Sequence, residues 1–205
     1  MRRAYSVANV TDAKFKTYEF KGQWREAVGC PEKGCTWIIL GPPKNGKTST
    51  AMMATKYLAG FTRCAYDSIE EGLSLTIKKA MERVGMSDVA SKVILLDKES
   101  PEELKERLSK HKSPDVIIFD SIQFGELDFK TYKELKWSFP NKTFIYVSHV
   151  DGKNPEGSVA KRIYKDAAII LRVEGFKIFP TSRYGGGAPI VINEELADAY
   201  WGLKV

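Results

Sequence analysis

Short unbroken apolar runs alternate with amphipathic stretches along most of this chain. Thr36-Trp37-Ile38-Ile39-Leu40 reads as a strand buried on both faces, and residues 63–67, 92–96, 115–119 and 142–148 repeat the pattern. Helical spacing fills the gaps. Residues 48–57 read as a helix. Further on, Leu73, Ile77, Ala80, Met81 and Val84 share one helical face, while Lys78, Lys79, Glu82 and Arg83 fall mostly on the other and read as a solvated face. Ser100-Pro101-Glu102-Glu103 is a capping box with proline at the first helical position, and it opens a short helix carrying Leu104 and Leu108. This alternation predicts an α/β fold, a mostly parallel sheet flanked by helices. From residue 167 the pattern changes. Residues 167–173, 176–181 and 189–192 read as strands joined by Glu174-Gly175 and Gly185-Gly186-Gly187, with no helix between them, which predicts a C-terminal antiparallel extension. Residues 1–35 are the least regular. Phe15, Tyr18, Phe20 and Trp24 are expected to pack there against the core edge, so residues 1–205 read as a single domain with a lead-in segment at 1–35.

Composition adds bounds rather than an answer. The chain has 205 residues, 43% of them hydrophobic, enough for one substantial core. The net charge of +6 favours an anionic partner, but a solvated surface accounts for it equally well. Cys30, Cys35 and Cys64 lack the paired spacing of a zinc site and read as reduced thiols. No apolar run matches a signal peptide or a membrane span, so the expected location is cytoplasmic, with no membrane partner.

The chemistry is concentrated in Gly41-Pro42-Pro43-Lys44-Asn45-Gly46-Lys47-Thr48, which fits the phosphate-binding loop G-x-x-x-x-G-K-[ST] at every fixed position. It follows a strand and opens a helix, the context in which backbone N–H groups from residues 41–49, Ser49 included, converge on phosphate oxygens. Lys47 would reach the β- and γ-phosphates, and the Thr48 hydroxyl would join the shell of a Mg²⁺ ion. Asp120 ends the apolar run Val116-Ile117-Ile118-Phe119 and is the natural second support for that metal; its other reading is a cap or turn residue. Hydrolysis needs a group that activates water. Glu70, in Asp67-Ser68-Ile69-Glu70-Glu71, is read as that base, one strand over from the phosphate loop; the competing reading makes both glutamates first-turn helix acids, which is preferred for Glu71. His149, at the end of the fifth strand, is either a γ-phosphate sensor or a structural histidine. The polar loop 151–157, with Lys153, leads to Lys161 and Arg162 and is either a grip on a nucleic-acid backbone or an ordinary surface loop. Arg183 either reaches a neighbouring subunit's nucleotide or is a surface arginine covered by Tyr184.

Together these segments resemble the RecA-like ATPase core, in particular its RadA/Sms and DnaB-helicase branch, from about residue 34 onward. Asp120-Ser121-Ile122-Gln123 is similar to that branch's second nucleotide motif, and Tyr66-Asp67-Ser68-Ile69-Glu70-Glu71 to its catalytic-glutamate segment. Ser148-His149-Val150 matches its post-strand histidine, and Arg183-Tyr184-Gly185 the end of a K-N-R-F-G motif that acts on the adjacent subunit's ATP. The motif's lysine position holds Thr181, and the branch's zinc finger and extra domains have no counterpart. The resemblance implies ATP and Mg²⁺ as ligands, single-stranded DNA as partner, self-association as a hexamer or filament, and a role in recombination, repair or replication beside other proteins of those pathways. The alternative is a nucleotide-gated adaptor, helicase-loader-like or KaiC-like, with little affinity for DNA. A small-molecule kinase fits less well, because the chain lacks an arginine-rich lid segment.

Overall fold

The computed structural model describes residues 4–202; residues 1–3 and 203–205 lie outside the described residues. The main sheet is built from β1 (Thr36–Leu40), β2 (Cys64–Ser68), β3 (Val93–Leu96), β4 (Val116–Asp120), β5 (Thr143–Ser148), β8 (Ile169–Glu174), β9 (Lys177–Ser182) and β10 (Ile190–Val191). Between β5 and β8 the two-residue strands β6 (Val150–Asp151) and β7 (Asn154–Pro155) form a separate hairpin. The helices are α1 (Val7–Thr11), α2 (Gly22–Val28), α3 (Lys47–Ala59), α4 (Leu75–Val84), α5 (Pro101–Ser109), α6 (Phe129–Ser138), α7 (Ser158–Asp166) and α8 (Glu194–Trp201).

The strands lie in the order β10-β9-β8-β1-β5-β4-β2-β3. From β8 to β3 every pairing is parallel, while β9 and β10 are added antiparallel. The apolar runs are continuous because both sheet faces are covered. Alternate residues go to opposite faces: Trp37, Ile39, Val116 and Ile118 join α3 and α4 in one core, and Ile38, Leu40, Ile117 and Phe119 join α5, α6 and α7 in the other. Each boundary expected from the pattern falls within two residues of the observed strand or helix end. The capping box at Ser100 is formed as the sequence indicates, with the Ser100 hydroxyl accepting from the Glu103 N–H and the Glu103 carboxylate accepting from the Ser100 N–H.

Two expectations need correction. Phe15 is 62% exposed and lies off the core, although Tyr18, Phe20 and Trp24 are buried against it. Leu73 precedes α4 and is 79% exposed, so that helix's buried residues begin at Ile77. Arg83 is exposed with the other polar residues of α4, as expected, and its guanidinium donates to the Ser49 hydroxyl at 3.2 Å.

One buried acid sits beside the nucleotide motifs without belonging to them. Asp67, at the end of β2, is fully buried, and its Oδ1 accepts from the Lys98 N–H at 3.1 Å while Oδ2 has no partner. Burial pushes its carboxyl from the ordinary 3.8 up to about 6, partly offset by the N–H groups of Lys98 and Glu99. The fold therefore favours the protonated acid. Its stabilising contribution is complete below pH 3.8 and is lost as pH rises through about 6. Asp67→Asn, which keeps the shape without the charge, should raise stability at pH 7.5 by about 1–3 kcal/mol, with the advantage vanishing near pH 4. Urea unfolding midpoints across that range are the measurement. A neutral or destabilising change at pH 7.5 would contradict this account of Asp67.

Candidate functional site

The phosphate loop is set by close backbone packing. β1 ends at Leu40, and Gly41 lies so near β8 that a Cβ there would sit 2.0 Å from the Val173 carbonyl oxygen. The chain then turns with Lys44 at φ 59° and Gly46 at φ 103°. A Cβ at Gly46 would also press on Ile192, at 2.9 Å. Asn45 ties the loop down, its Oδ1 accepting from the Gly175 N–H at 2.7 Å and its Nδ2 donating to the Pro43 carbonyl at 2.9 Å. α3 starts at Lys47 with no side chain capping its first turn. Helix N–H groups left in this way, with the positive end of the helix dipole, favour an anion.

Lys47 is largely buried and donates to the Pro42 carbonyl at 3.0 Å. Burial pushes its ammonium pKa down, and the charges of Asp120 and Glu70 pull it back up. Asp120 is buried at 7% exposure and accepts from the hydroxyls of Tyr66 and Thr48. Its carboxyl is pushed up, chiefly by burial and further by Glu70, against the lowering effect of those two hydrogen bonds. The Thr48 hydroxyl and the Asp120 carboxylate are thus neighbouring hard oxygen donors beside an uncapped helix start, a donor set that fits Mg²⁺ with phosphate.

Strand order changes how Glu70 reaches this place. β5 inserts beside β1, then β4, then β2, so the strand preceding Glu70 is three positions from the phosphate-loop strand and not one, as the sequence suggests. Glu70 arrives instead through the turn after β2. Its N–H donates to the Asp120 carbonyl at 3.0 Å. Its Oε2 accepts from the Ser121 hydroxyl at 2.8 Å and lies 3.2 Å from His149 Nε2. Glu71 turns the other way, to the hydroxyls of Thr76 and Ser74 at the start of α4.

His149 connects this carboxylate to the β6–β7 hairpin through Gln123, which the sequence reading quoted without a role. The His149 N–H donates to Gln123 Oε1 at 3.2 Å. Gln123 Nε2 donates to the Ser148 hydroxyl at 2.8 Å and to the Glu156 carbonyl at 3.1 Å, and the Glu156 N–H returns to the His149 carbonyl at 3.0 Å. Tyr66 is the other residue without an assigned role. Its signal was a phenol inside an apolar strand, which must find a polar partner when buried. Of the loop cations, Lys153 is exposed at the hairpin turn, its carbonyl accepting from Arg172 at 3.1 Å, and Lys161 is exposed on α7. Arg162 is engaged elsewhere, with its guanidinium 4.7 Å from the centre of the Phe129 ring. Arg183 is exposed at the opposite end of the sheet from the phosphate loop. Its N–H donates to the Ala168 carbonyl, and the Ala168 N–H to the Thr36 carbonyl at the start of β1, five residues (roughly 16 Å along a strand) before Gly41.

Among the described residues no helix is long and apolar enough to cross a membrane. No protein-family model matches the chain. It is 31% identical over 102 residues to the DNA repair and recombination protein RadB of Methanosphaera stadtmanae, across 44% of this chain and 43% of that protein, so the match spans less than half of that relative's length. Its structure is similar to that of the flagellar accessory protein FlaH from Methanocaldococcus jannaschii, with a TM-score of 0.62 and 17% identity over 88% of this chain and 96% of that one. It is likewise similar to a KaiC-like protein from Pyrococcus horikoshii, with a TM-score of 0.63 and 16% identity over 86% of this chain and 93% of the other. At these identities the likeness speaks for architecture, and the architecture is the RecA-like P-loop fold.

Proposed function

We propose that this chain is a Mg²⁺-dependent ATPase that binds single-stranded DNA and acts as a ring or filament in DNA recombination, repair or replication, akin to the RadA and DnaB branch. The observation that carries the hydrolytic part is the position of Glu70. Its carboxylate is held by Ser121 and His149 in the same cluster as Lys47, Thr48 and Asp120. In this reading the uncapped start of α3 and Lys47 hold the phosphates. Thr48 and Asp120 hold Mg²⁺, which when bound neutralises charge on the β- and γ-phosphate oxygens. Glu70 orients and deprotonates the attacking water, which requires an ionised carboxylate within hydrogen-bond reach of it. His149 and Gln123 pass a change at Glu70 to the β6–β7 hairpin, because they bond to both. Arg183, placed at the opposite end of the sheet, suits a role on the next subunit's nucleotide.

Residues 151–157 carry one lysine, Lys153, against Asp151 and Glu156, a net charge of −1. That balance favours the second reading, an adaptor that binds ATP and then a protein, with little grip on DNA. The RadB likeness, to a protein named for DNA repair and recombination, favours the first.

Lys47→Ala should lower ATP hydrolysis at least a hundredfold, because the loop's charged donor is lost. Glu70→Gln should bind ATP with near-normal affinity while turnover falls by about two to four orders of magnitude. Steady-state hydrolysis and equilibrium binding, measured side by side, decide the point, and normal turnover in Glu70→Gln removes it from the catalytic role. Single-stranded DNA should stimulate hydrolysis, with a log–log salt slope of about −0.7 per phosphate contacted. Lys153→Ala with Lys161→Ala should abolish the stimulation. A DNA-independent rate with an ATP-dependent protein complex supports the adaptor instead.

A further inference from the structure

A cluster of basic side chains lies far from the nucleotide site. At the end of the sheet where the parallel strands begin, a cleft of about 210 Å³ opens between the starts of β2 and β3 and the segment that follows α5. Arg63, Lys92, Arg107, Lys110, His111 and Lys112 line it, and no Asp or Glu does. The whole chain carries 32 basic against 26 acidic residues, so this one-sided lining departs sharply from its average.

Two of those cations are already neutralised. Arg107 is bonded through Nε and Nη2 to Glu99, and Lys110 pairs with Glu106 at 2.8 Å. Asp115 lies nearby but turns to Thr62 and Lys142. Among the described residues no ion pair is formed by Arg63, Lys92 or Lys112. All three are exposed. Arg63 is also positioned, because its Nη1 donates to the Lys112 carbonyl at 2.9 Å, which holds the two cationic residues together at the mouth of the cleft.

We propose that this cleft binds the sugar-phosphate backbone of duplex DNA, at a place distinct from the β6–β7 hairpin. Three unpaired cations within one small concavity match closely spaced phosphates, since each neutralised phosphate releases condensed counterions. None of the lining residues is Phe, Tyr or Trp. Single strands are gripped largely by stacking their bases on aromatic side chains, which this surface does not offer. A backbone-only surface is indifferent to sequence and suits a duplex, whose bases are already stacked. The nucleotide motifs lie at the opposite ends of the same strands, about one strand length away, so DNA here leaves the phosphate loop open.

The test is fluorescence anisotropy with a labelled duplex of about 25 base pairs and the matching single strand, across a salt series and without nucleotide. Arg63→Ala, Lys92→Ala and Lys112→Ala combined should weaken duplex binding roughly tenfold or more at 0.1 M salt. The salt slope should become shallower by about 2–3, near 0.9 for each lost phosphate contact. Single-strand binding should change less, and DNA-free ATP hydrolysis should be unaltered. Lys92→Glu with Lys112→Glu leaves the Arg63 hydrogen bond untouched and serves if the triple variant is unstable. An unchanged duplex affinity and slope overturns the proposal, as does the absence of duplex binding by the unaltered protein at 50 mM salt. Calorimetric binding of inorganic pyrophosphate that these variants abolish, with duplex affinity unchanged, would make the cleft a small-anion site and overturn it too. Because the assay needs no ATP, its result stands apart from whether the nucleotide reading holds.

Discussion

A side chain at position 41 would place its Cβ 2.0 Å from the carbonyl oxygen of Val173, and this close approach between the end of β1 and β8 sets where the phosphate loop can lie. With Gly41 seated there, the loop needs only the left-handed turns at Lys44 and Gly46 to reach the start of α3. Asn45 then locks it to the turn that follows β8 through Gly175. The last parallel strand and the turn into the antiparallel extension are therefore more than an addition to the sheet edge. β8 and its turn form the wall against which the loop is moulded, and Ile192, just beyond β10, packs beneath Gly46. A substitution at Gly41 should therefore be felt directly at the phosphate loop.

Around that loop the polypeptide gathers one buried ammonium and two carboxylates. Burial disfavours the charged form of Lys47 and of Asp120. Lys47 has its pKa pushed down and Asp120 has its carboxyl pushed up, and each lies in the field of Glu70. A polyanion with a divalent cation relieves both groups: the phosphates favour the ammonium, and the metal favours the carboxylate. The protein thus holds its site in a tension that the proposed ligands remove. Tyr66 and Thr48, both donating to Asp120, keep that carboxylate oriented in the meantime.

Much of this was legible in the sequence, for physical reasons that differ between elements. The phosphate loop announces itself because the geometry at Gly41, Gly46 and Lys47 tolerates few other residues. The six parallel strands were readable because burial on both faces forces unbroken apolar runs such as Val116-Ile117-Ile118-Phe119. α6 and α7 went unread although Tyr132 with Leu135, and Val159, Ala160, Ile163 and Tyr164, stand at helical spacing. Strand order is not written in any local pattern, which is why Glu70 was expected beside β1 when β5 and β4 lie between. Gln123 and Tyr66 escaped notice for a related reason: their importance comes from partners 25 to 54 residues away in the chain. The basic cleft was equally hidden, since Arg63, Lys92 and Lys112 become neighbours only when β2, β3 and β4 pair.

The central claim is that this loop and its two oxygen ligands form a Mg²⁺-nucleotide site. Isothermal titration calorimetry of ATP into the full chain, in Mg²⁺ and again in excess chelator, tests it most directly. The account predicts one ATP bound per chain, with affinity falling at least about tenfold when the metal is removed, since the ion shares its ligands between protein and phosphate. No measurable binding, or equal affinity with and without Mg²⁺, would contradict it.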